Sequence, residues 1–425
     1  MDKKFNIYTL GCKVNQYESD SMADELKSKG ARLVGFNEAA DICIINTCSV
    51  TNMAERKSRQ IIHRAKKLNP NAVIVAAGCY VQADKEGLES DNQIDIVVGN
   101  NRKKDIVRIL EEYFQVKDVQ DNYIDINKTH EYEEMTLIKP EEHTRAYVKV
   151  QDGCNNFCSY CIIPYTRGRI RSRKLSDVIA EIRGLAKRGL KEVVITGINL
   201  SSYKDEDGTE LLGLLQKVSL IDGIERIRMG SLEPRIITRG FLEGICNNKK
   251  ICPHFHLSLQ SACNETLKRM NRKYTIEEYM EKCKLIRSYY DRPAITTDVI
   301  VGFPGETDEE FEVTKANLET LKLYEMHIFK YSIRNGTVAA TMQGQVSDHI
   351  KDVRSDILLE MAAKHKSEYE ESFRGEKLEI LVEEYDKDDS GCYIKGHTDR
   401  YIHVRRLNDE EFCVNNINNI IEIEY

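Results

Sequence analysis

Short β-rich apolar runs alternate with helical stretches through the first 115 residues. The run FNIYTLGC ends at Cys12, DICIINTC ends at Cys48 and NAVIVAAGC ends at Cys79, and a helical stretch follows each run. Alternating strands and helices predict a parallel sheet with helices on its faces. The carboxyl ends of such strands lie at the edge where open α/β sheets bind ligands. Three thiols that are distant in sequence could therefore converge on one point.

A second alternating series begins at Arg145, after a polar, acidic stretch that reads as a linker. Its β-rich runs are AYVKVQ, KEVVIT, IERIRMG, FHLSLQ, AITTDVIVG and EMHIFKYS. Six strands in a βα series predict an open, partial barrel. A long charged helix is predicted over 348–373, followed by strands and turns. The sequence thus predicts an α/β chain with a parallel α/β domain at 1–115, a linker at 116–144, a partial (βα)6 barrel at 145–370 and an all-β module at 371–425.

Length and composition indicate a cytosolic protein of more than one domain. A chain of 425 residues is too long for one ordinary core, and 41% hydrophobic with 31% charged residues is a globular profile. No run approaches the roughly 18 apolar residues of a membrane span, and MDKKFNIYTLGCKV lacks a signal-peptide core. We therefore expect a cytoplasmic location and no membrane contact. Because cytosolic thiols stay reduced, the 13 cysteines are expected to be core residues, metal ligands or catalytic groups.

The net charge of −7 does not by itself favour nucleic-acid binding. Residues 371–425 carry 7 basic and 14 acidic side chains, whereas residues 1–370 balance at 55 of each. The carboxyl-terminal module therefore holds the whole excess of negative charge. Any affinity for nucleic acid must come from local basic patches.

Three cysteines, Cys154, Cys158 and Cys161, stand close together in DGCNNFCSYCIIPYTRGRIRSRK. A closed zinc site takes four ligands, and an ordinary 4Fe–4S cube also takes four cysteines. Three thiolates can hold three irons of a cube and leave the fourth iron free to bind a substrate or cofactor. The alternative is a structural zinc knuckle, which needs a fourth ligand nearby; the nearest histidine, His143, precedes the strand.

This C-x3-C-x2-C loop after the first strand of the series, with an aromatic residue before its last cysteine, resembles the radical S-adenosylmethionine superfamily. The resemblance implies that the open iron chelates the amino and carboxylate groups of S-adenosylmethionine. It also implies that an electron from the cluster cleaves this cofactor to a 5′-deoxyadenosyl radical. Cofactor contacts are then expected in TGIN, SLEP, LSLQS and the glycine-containing strand DVIVGFPGE. The cofactor-binding candidates are Tyr160, Gly197, Asn199, Glu233, Gln260 and Gly302.

The segments TLGCKVNQYES, NTCSVTNMAERKSRQ and AAGCYVQ resemble the amino-terminal domain of the methylthiotransferases, and the likeness extends to a TRAM-type β-module at the end of the chain. It implies that Cys12, Cys48 and Cys79 ligate a second 4Fe–4S cluster with an open iron. One S-adenosylmethionine would then methylate sulfur held there, and another would supply the radical that takes hydrogen from the substrate carbon. Core packing is the alternative for these thiols, and it is the role expected of Cys43, which lies inside a strand.

The methylthiotransferase family divides between tRNA and a ribosomal-protein aspartate. TLGCKVNQYES together with PYTRGRIRSRK is most similar to the bacterial tRNA threonylcarbamoyladenosine methylthiotransferases. This similarity implies methylthiolation at C2 of that adenosine, 3′ to the anticodon, with no catalytic residues beyond the cluster ligands. It implies three partners: the tRNA anticodon loop, a low-potential electron donor such as flavodoxin or ferredoxin, and a sulfur donor. The alternatives are isopentenyladenosine in tRNA, the ribosomal-protein aspartate and, in another class, a non-catalytic iron–sulfur RNA-binding protein.

Basic residues in three segments are candidates for RNA contact. Four arginines alternate in TRGRIRSR, and in an extended segment all four would point to one face beside the cysteine loop. The helix after Cys48 is also basic, with a solvated face as the alternative. The acidic terminal module offers a basic surface only near 395–406, where Tyr393 or Tyr401 would stack on a base; its acidity would also suit a basic protein partner. The arginine candidates are Arg167, Arg169, Arg171, Arg173, Arg405 and Arg406.

Overall fold

The computed structural model describes residues 1–117, 122–140 and 144–425. The amino-terminal strands are Lys4–Thr9 (β1), Arg32–Leu33 (β2), Ile42–Thr47 (β3), Val73–Gly78 (β4) and Ile96–Val98 (β5). They form one parallel sheet in the order β2-β1-β3-β4-β5. The predicted alternation is confirmed. The sequence did not reveal β2 and β5, because two or three residues are too few to show a period.

Helices follow the cysteine-bearing strands at once. They are Lys13–Ser28 (α1), Asn52–Leu68 (α2), Cys79–Ala83 (α3), Lys85–Glu89 (α4) and Ile106–Val116 (α5). The hydroxyl of Thr51 caps α2 by accepting from the Ala54 N–H at 3.1 Å. Ile61, Ile62 and Ala65 bury one face of α2 against the sheet, so its charged residues are left facing outward.

The second series of strands forms the predicted partial barrel. Its strands are Arg145–Asp152 (β6), Arg171–Ser172 (β7), Glu192–Gly197 (β8), Arg226–Met229 (β9), His254–His256 (β10), Ala294–Val301 (β11) and Glu325–Lys330 (β12). Two sheets, β7-β6-β8-β9 and β10-β11-β12, are joined by parallel bridges from Ile227 to Ile251 and from Leu232 to Leu257. Apart from the short antiparallel β7, the strands run parallel, so their carboxyl ends share one edge.

The barrel helices are Ile163–Thr166 (α6), Leu175–Lys187 (α7), Leu211–Ser219 (α8), Arg239–Ile245 (α9), Asn264–Arg269 (α10), Ile276–Tyr289 (α11), Asp308–Leu321 (α12) and Asp348–Glu371 (α13). The predicted long charged helix is confirmed as α13, which contacts β12. The core of this region is continuous with the core under α1. The amino-terminal sheet and the barrel are therefore packed on each other.

Residues 122–140, read from the sequence as linker, contain no helix or strand but are firmly packed. Met135 and Leu137 are buried in the common core. The Tyr17 hydroxyl on α1 donates to the Met135 carbonyl at 2.5 Å, and the backbone N–H of Asn101 donates to Glu133 at 3.0 Å. This segment therefore joins the two parts of the chain. Residues 118–121 and 141–143 of the predicted linker, including His143, lie outside the described residues.

The carboxyl-terminal module is an antiparallel sheet with one helix. Its elements are Lys377–Asp388 (β13), Gly391–Thr398 (β14), His403–Asn408 (β15), Glu410–Asn415 (α14) and Ile420–Glu424 (β16), with the strand order β15-β14-β13-β16. A short helix interrupts the predicted series of strands and turns in EFCVNN, where the Asp409 side chain caps it by accepting from the Phe412 N–H at 2.7 Å.

The module lies against the amino ends of the barrel strands. Arg228 donates to the carbonyls of Thr398 and Asp399, both at 3.0 Å, and Arg226 donates to the carbonyls of His397 and Glu379, both at 2.9 Å. The module therefore sits at the end of the barrel opposite the carboxyl edge. None of the helices in the described parts of the chain has both the length and the apolar character needed to cross a membrane.

Candidate functional site

Cys12, Cys48 and Cys79, called here the auxiliary triad, stand at the carboxyl ends of three adjacent strands. Each thiol lies between a strand and the helix after it, where a turn is needed. Gly11 makes one of these turns with φ +103°, and a Cβ added to it would lie 3.0 Å from the Cys48 sulfur. The predicted convergence is thus present in the fold, and it depends on a residue without a side chain beside the thiols.

Burial raises the pKa of two of the auxiliary thiols, Cys12 and Cys48. Burial, and next the neighbouring Cys79, raise the pKa of Cys48 to about 12. Burial also raises the pKa of Cys12, against the influence of the Arg167 guanidinium. A thiolate is the form that binds iron, so proton release would accompany metal binding here.

Cys154, Cys158 and Cys161, called here the radical triad, lie in the loop between β6 and α6. Gly153 (φ +71°) allows the loop to close: an added Cβ would lie 1.9 Å from the Arg169 carbonyl oxygen. Burial, and next the neighbouring Cys158, raise the pKa of Cys161 to about 12. Burial likewise raises the pKa of Cys154, so proton release from these two thiols would accompany metal binding in this loop as well.

The thiols of the two triads can be compared with the close spacing of a zinc site. Four zinc-bound sulfurs at about 2.3 Å from the metal lie about 3.8 Å apart. Among the described residues, the groups whose ligand atoms all lie within 4.8 Å of one another include neither triad. In this side-chain arrangement neither triad therefore forms the close set of sulfurs that a single zinc ion needs.

Five of the six cysteines of the two triads line one cavity of about 590 Å³ at the carboxyl edge of the barrel. Cys12 and Cys48 line it from the amino-terminal sheet, and the whole radical triad lines it from the barrel. Cys79 is buried and is not among the lining residues; the amide of Asn100 donates to its sulfur at 3.6 Å. Cysteines from the two parts of the chain therefore meet at one chamber.

Four of the six predicted cofactor residues line this cavity: Tyr160, Asn199, Glu233 and Gln260. Gly197 and Gly302 are not among its lining residues. A Cβ on Gly197 would meet Gln151 at 2.9 Å, and one on Gly302 would lie 2.3 Å from Lys351 of α13. In the structure these two glycines admit neighbouring protein groups, so a direct cofactor contact from them stays a prediction.

Two residues of the site were not identified from the sequence. Arg272 donates to the Cys158 sulfur at 3.2 Å and to the Ser258 carbonyl at 3.1 Å. Asn156 donates to Glu233 at 2.6 Å and thereby fixes that carboxylate at the cavity wall. Arg272 stands in no recognisable motif, and only the folded chain brings it to Cys158. Asn156 lies within the C-x3-C-x2-C loop itself, but only the fold brings Glu233 to it.

The expectation that four alternating arginines present one face to RNA is wrong. Arg167, Arg171 and Arg173 are buried, and β7 covers only Arg171–Ser172, so the segment is not extended throughout. Arg169 alone of the four is half-exposed, with its guanidinium 4.6 Å from the centre of the Phe157 ring. Burial of a charge is costly unless it is paired, which gives these three side chains a different role.

The buried arginines are held by carboxylates from both parts of the chain. Arg167 pairs with Glu18 of α1 at 2.9 Å and with Asp152 of β6 at 3.2 Å. Arg173 pairs with Glu181 of α7 at 2.7 Å. Although burial opposes ionisation, Arg167 and two buried lysines hold the pKa of Glu18 well below its usual range. The ion cluster around Glu18 therefore fastens α1 to the barrel.

An exposed basic surface does occur on α2, beside the cavity. Thr51 and Ala54, at its amino end, line the cavity, and Arg334 from the loop after β12 pairs with Glu55. The first turns also expose Met53. The exposed cations of this helix are Arg56, Lys57, Arg59, Arg64 and Lys67.

The predicted stacking residue Tyr401 is not free to receive a base. Its ring stacks between His254, at 4.9 Å, and His397, at 4.6 Å. Arg405 and Arg406 are exposed as expected, but Arg405 pairs with Asp388 at 2.6 Å and Arg406 donates to the Glu424 carbonyl. The module thus uses much of its basic and aromatic chemistry on internal contacts.

Comparison with known proteins places the chain in a family. The model described as "Uncharacterized protein family UPF0004" matches residues 4–99, and "Radical SAM superfamily" matches residues 148–317. The threonylcarbamoyladenosine tRNA methylthiotransferase MtaB of Aquifex aeolicus is 39% identical over 404 residues, covering 95% of this chain and 98% of the relative. A tRNA-2-methylthio-N(6)-dimethylallyladenosine synthase of Thermoanaerobacter pseudethanolicus is 39% identical over 396 residues, covering 91% of this chain and 83% of the relative.

A solved structure supports the fold. The radical S-adenosylmethionine methyltransferase TsrM of Kitasatospora setae, solved with cobalamin and a [4Fe-4S] cluster, superimposes with a TM-score of 0.58. It covers 80% of this chain and 77% of its own chain at 14% identity. Together with the family matches and the two cysteine triads, this likeness leads to one conclusion: the chain is an enzyme that belongs to the radical S-adenosylmethionine methylthiotransferase family.

Proposed function

We propose that this enzyme adds a methylthio group to C2 of N6-threonylcarbamoyladenosine, 3′ to the anticodon of cytoplasmic tRNA. In this proposal it uses two molecules of S-adenosylmethionine and two 4Fe–4S clusters. The observation that carries the proposal is the single cavity shared by the auxiliary and radical triads. A reaction that joins a radical carbon to a methylated sulfur needs both groups within reach of one substrate.

Residues 1–115 provide the auxiliary triad for one cluster, and residues 145–370 provide the radical triad for the other. When bound, the clusters supply open irons for sulfur and S-adenosylmethionine, and an electron for radical formation. The chain orients this site: Arg272 donates to Cys158, and Glu233 is fixed by Asn156. Apolar residues such as Ile163, Leu232 and Ile300 line the cavity and limit the water that would quench a radical.

The proposed reaction involves three partners: the tRNA, an electron donor and a sulfur donor. The exposed cations of α2 begin beside the cavity and suit the phosphates of an anticodon stem-loop. A low-potential electron donor such as flavodoxin or ferredoxin and a sulfur donor complete the reaction. The TRAM-type module, residues 371–425, adds Arg405 and Arg406 to the RNA-binding surface in this proposal.

Isopentenyladenosine is the second candidate substrate, because a relative named for dimethylallyladenosine matches at the same 39% identity as the relative named for threonylcarbamoyladenosine. Expression of this chain in a strain that lacks its own methylthiotransferases separates the two. Mass spectrometry of the tRNA nucleosides should show methylthio-threonylcarbamoyladenosine. Methylthio-isopentenyladenosine alone would overturn the substrate assignment. Methylthiolated aspartate in the ribosomal proteins of the same strain, detected by mass spectrometry, would overturn the tRNA assignment.

A separate measurement distinguishes this enzyme from a non-catalytic iron–sulfur protein. Anaerobically reconstituted enzyme with dithionite and S-adenosylmethionine should release 5′-deoxyadenosine. A variant with alanine at all three positions of the radical triad is the matched control and should release none. Equal release from both proteins would show that the radical triad is not needed for cleavage of S-adenosylmethionine.

A further inference from the structure

A cluster of polar side chains lies on three adjacent strands of the barrel, continuous with the shared cavity. His256 ends β10, Asp298 is in β11 and His327 is in β12, and their ligand atoms all lie within 4.8 Å of one another. The Nε2 atom of His256 is 3.4 Å from the Asp298 carboxylate, and its Nδ1 atom is 2.9 Å from the Thr296 hydroxyl. Asp298 also lines the cavity, so a substrate in the cavity can reach this His–Asp–His cluster.

Lys13 adds a cation to the same region. It is half-buried at the start of α1, and Asp298 lies close enough to act on its charge, as do Arg145, Arg228 and Glu192. The other charges are already matched, because Arg228 pairs with Glu192 at 3.0 Å and Arg145 pairs with Glu383 at 3.2 Å. Among the described residues, no hydrogen bond or ion pair engages the Lys13 ammonium. This ammonium is therefore available to an anionic ligand.

The two candidate nucleosides differ in the chemistry that this region would recognise. The threonylcarbamoyl group carries a carboxylate, a hydroxyl and a urea-like amide, whereas the isopentenyl group is a hydrocarbon. A hydrocarbon placed against Lys13 and the His–Asp–His cluster would remove water from these polar groups and return no hydrogen bonds. Sites built to pair polar groups reject analogues that lack them far more strongly than apolar pockets reject a missing methyl group.

We propose that Lys13 and His327 bind the carboxylate of the threonyl group and thereby select threonylcarbamoyladenosine over isopentenyladenosine. This inference rests on the proposed function and names the residues that decide the substrate. His327 is exposed and therefore accessible to an incoming base, and its ring stacks on that of His256 with the centroids 5.9 Å apart. The Lys13 ammonium then donates a charge-assisted hydrogen bond to this carboxylate.

The test compares two forms of one tRNA: the natural threonylcarbamoyladenosine form, and the same tRNA with its threonyl carboxylate converted to a methylamide. Holoenzyme variants Lys13→Met and His327→Ala are measured with both, and exposed His130→Ala is the matched control. Each variant should lose about 10- to 100-fold in kcat/KM on the natural tRNA, the effect of one charge-assisted hydrogen bond. On the methylamide tRNA the loss of kcat/KM should stay within about twofold, because the negative charge that Lys13 and His327 bind is absent.

Iron content and 5′-deoxyadenosine release are measured on the same preparations, since Lys13 adjoins a cysteine of the auxiliary triad. If Lys13→Met loses iron, His327→Ala, on a different strand, decides the outcome. Equal losses on both tRNAs would indicate a structural role and overturn the inference. Stimulation by Mn²⁺ that His327→Ala abolishes would also overturn it, because the histidines would then hold a cation instead. Wild-type enzyme that modifies only isopentenyladenosine tRNA would instead refute the proposed function itself.

Discussion

Replacing Arg167 by methionine tests whether the buried ion cluster, rather than RNA binding, accounts for this arginine. Arg167 is fully buried and pairs with Glu18 and Asp152. The variant keeps most of the side-chain volume but removes the cation between two buried carboxylates. Lys149 still reaches both carboxylates, at 2.7 Å and 2.8 Å, so part of the pairing survives.

Removing one partner of a buried ion pair costs about 3 to 5 kcal/mol, because the other charge is left in a medium of low polarity. For a domain of this size each kcal/mol corresponds to about 2 to 4 °C, so the melting temperature should fall by about 6 to 20 °C. The remaining lysine contacts place the expected value in the lower half of that range. Arg169→Met, two residues away but half-exposed, should shift the melting temperature by only a few degrees.

The loss should also depend on pH. The cations hold the pKa of Glu18 and of Asp152 below their usual values despite burial. A lowered folded-state pKa stabilises the protein above the ordinary carboxyl pKa of about 4, and this stabilisation is lost as the pH falls. Without Arg167 both folded-state pKa values rise toward the ordinary value, so Arg167→Met should lose less stability than wild type as the pH falls below about 5, and the gap between their melting temperatures should narrow there.

The assay is thermal unfolding of anaerobically prepared holoenzyme by circular dichroism from pH 4 to 8, with iron content determined on each sample. RNA affinity is measured beside it at 25 °C, where the variant remains folded. A melting temperature within 2 °C of wild type, combined with a large loss of RNA affinity, would refute the assignment of Arg167 to the ion cluster and restore it to the RNA surface.

Three further perturbations follow from the site. Gly153→Ala should abolish iron binding at the radical triad, because the new Cβ would lie 1.9 Å from the Arg169 carbonyl oxygen. A colorimetric iron assay should then find about four irons per chain, held at the auxiliary triad. The same iron content as wild type would contradict this reasoning. Alanine at all three auxiliary positions should leave 5′-deoxyadenosine release intact but eliminate methylthiolated product in mass spectra, and product from this variant would place sulfur elsewhere. Arg56→Gln with Lys57→Gln should weaken tRNA binding and reduce its log–log salt slope by about 1.5 to 2, whereas an unchanged slope would exclude α2 from the interface.

The sequence alone determined the architecture and identified the two cysteine triads. Strand–helix alternation is a local pattern, and parallel strands must bring their carboxyl ends to one edge, so the convergence of Cys12 and Cys48 follows from the order of strands and helices along the chain. The three-cysteine loop is likewise recognisable from a few adjacent positions, and its neighbour Gly153 supplies the turn. These features depend on short-range order and on the few topologies that βα units allow.

Only the tertiary structure decided the fate of individual polar side chains. Arg167 and Arg169 look alike in sequence, but α1 brings Glu18 beside the first from 149 residues away and leaves the second half-exposed. In the same way, Tyr401 is held by His254 of the barrel, which no local pattern reveals. The physical reason is that burial and pairing of a charge or ring are set by groups distant along the chain, and their positions exist only once the domains have packed.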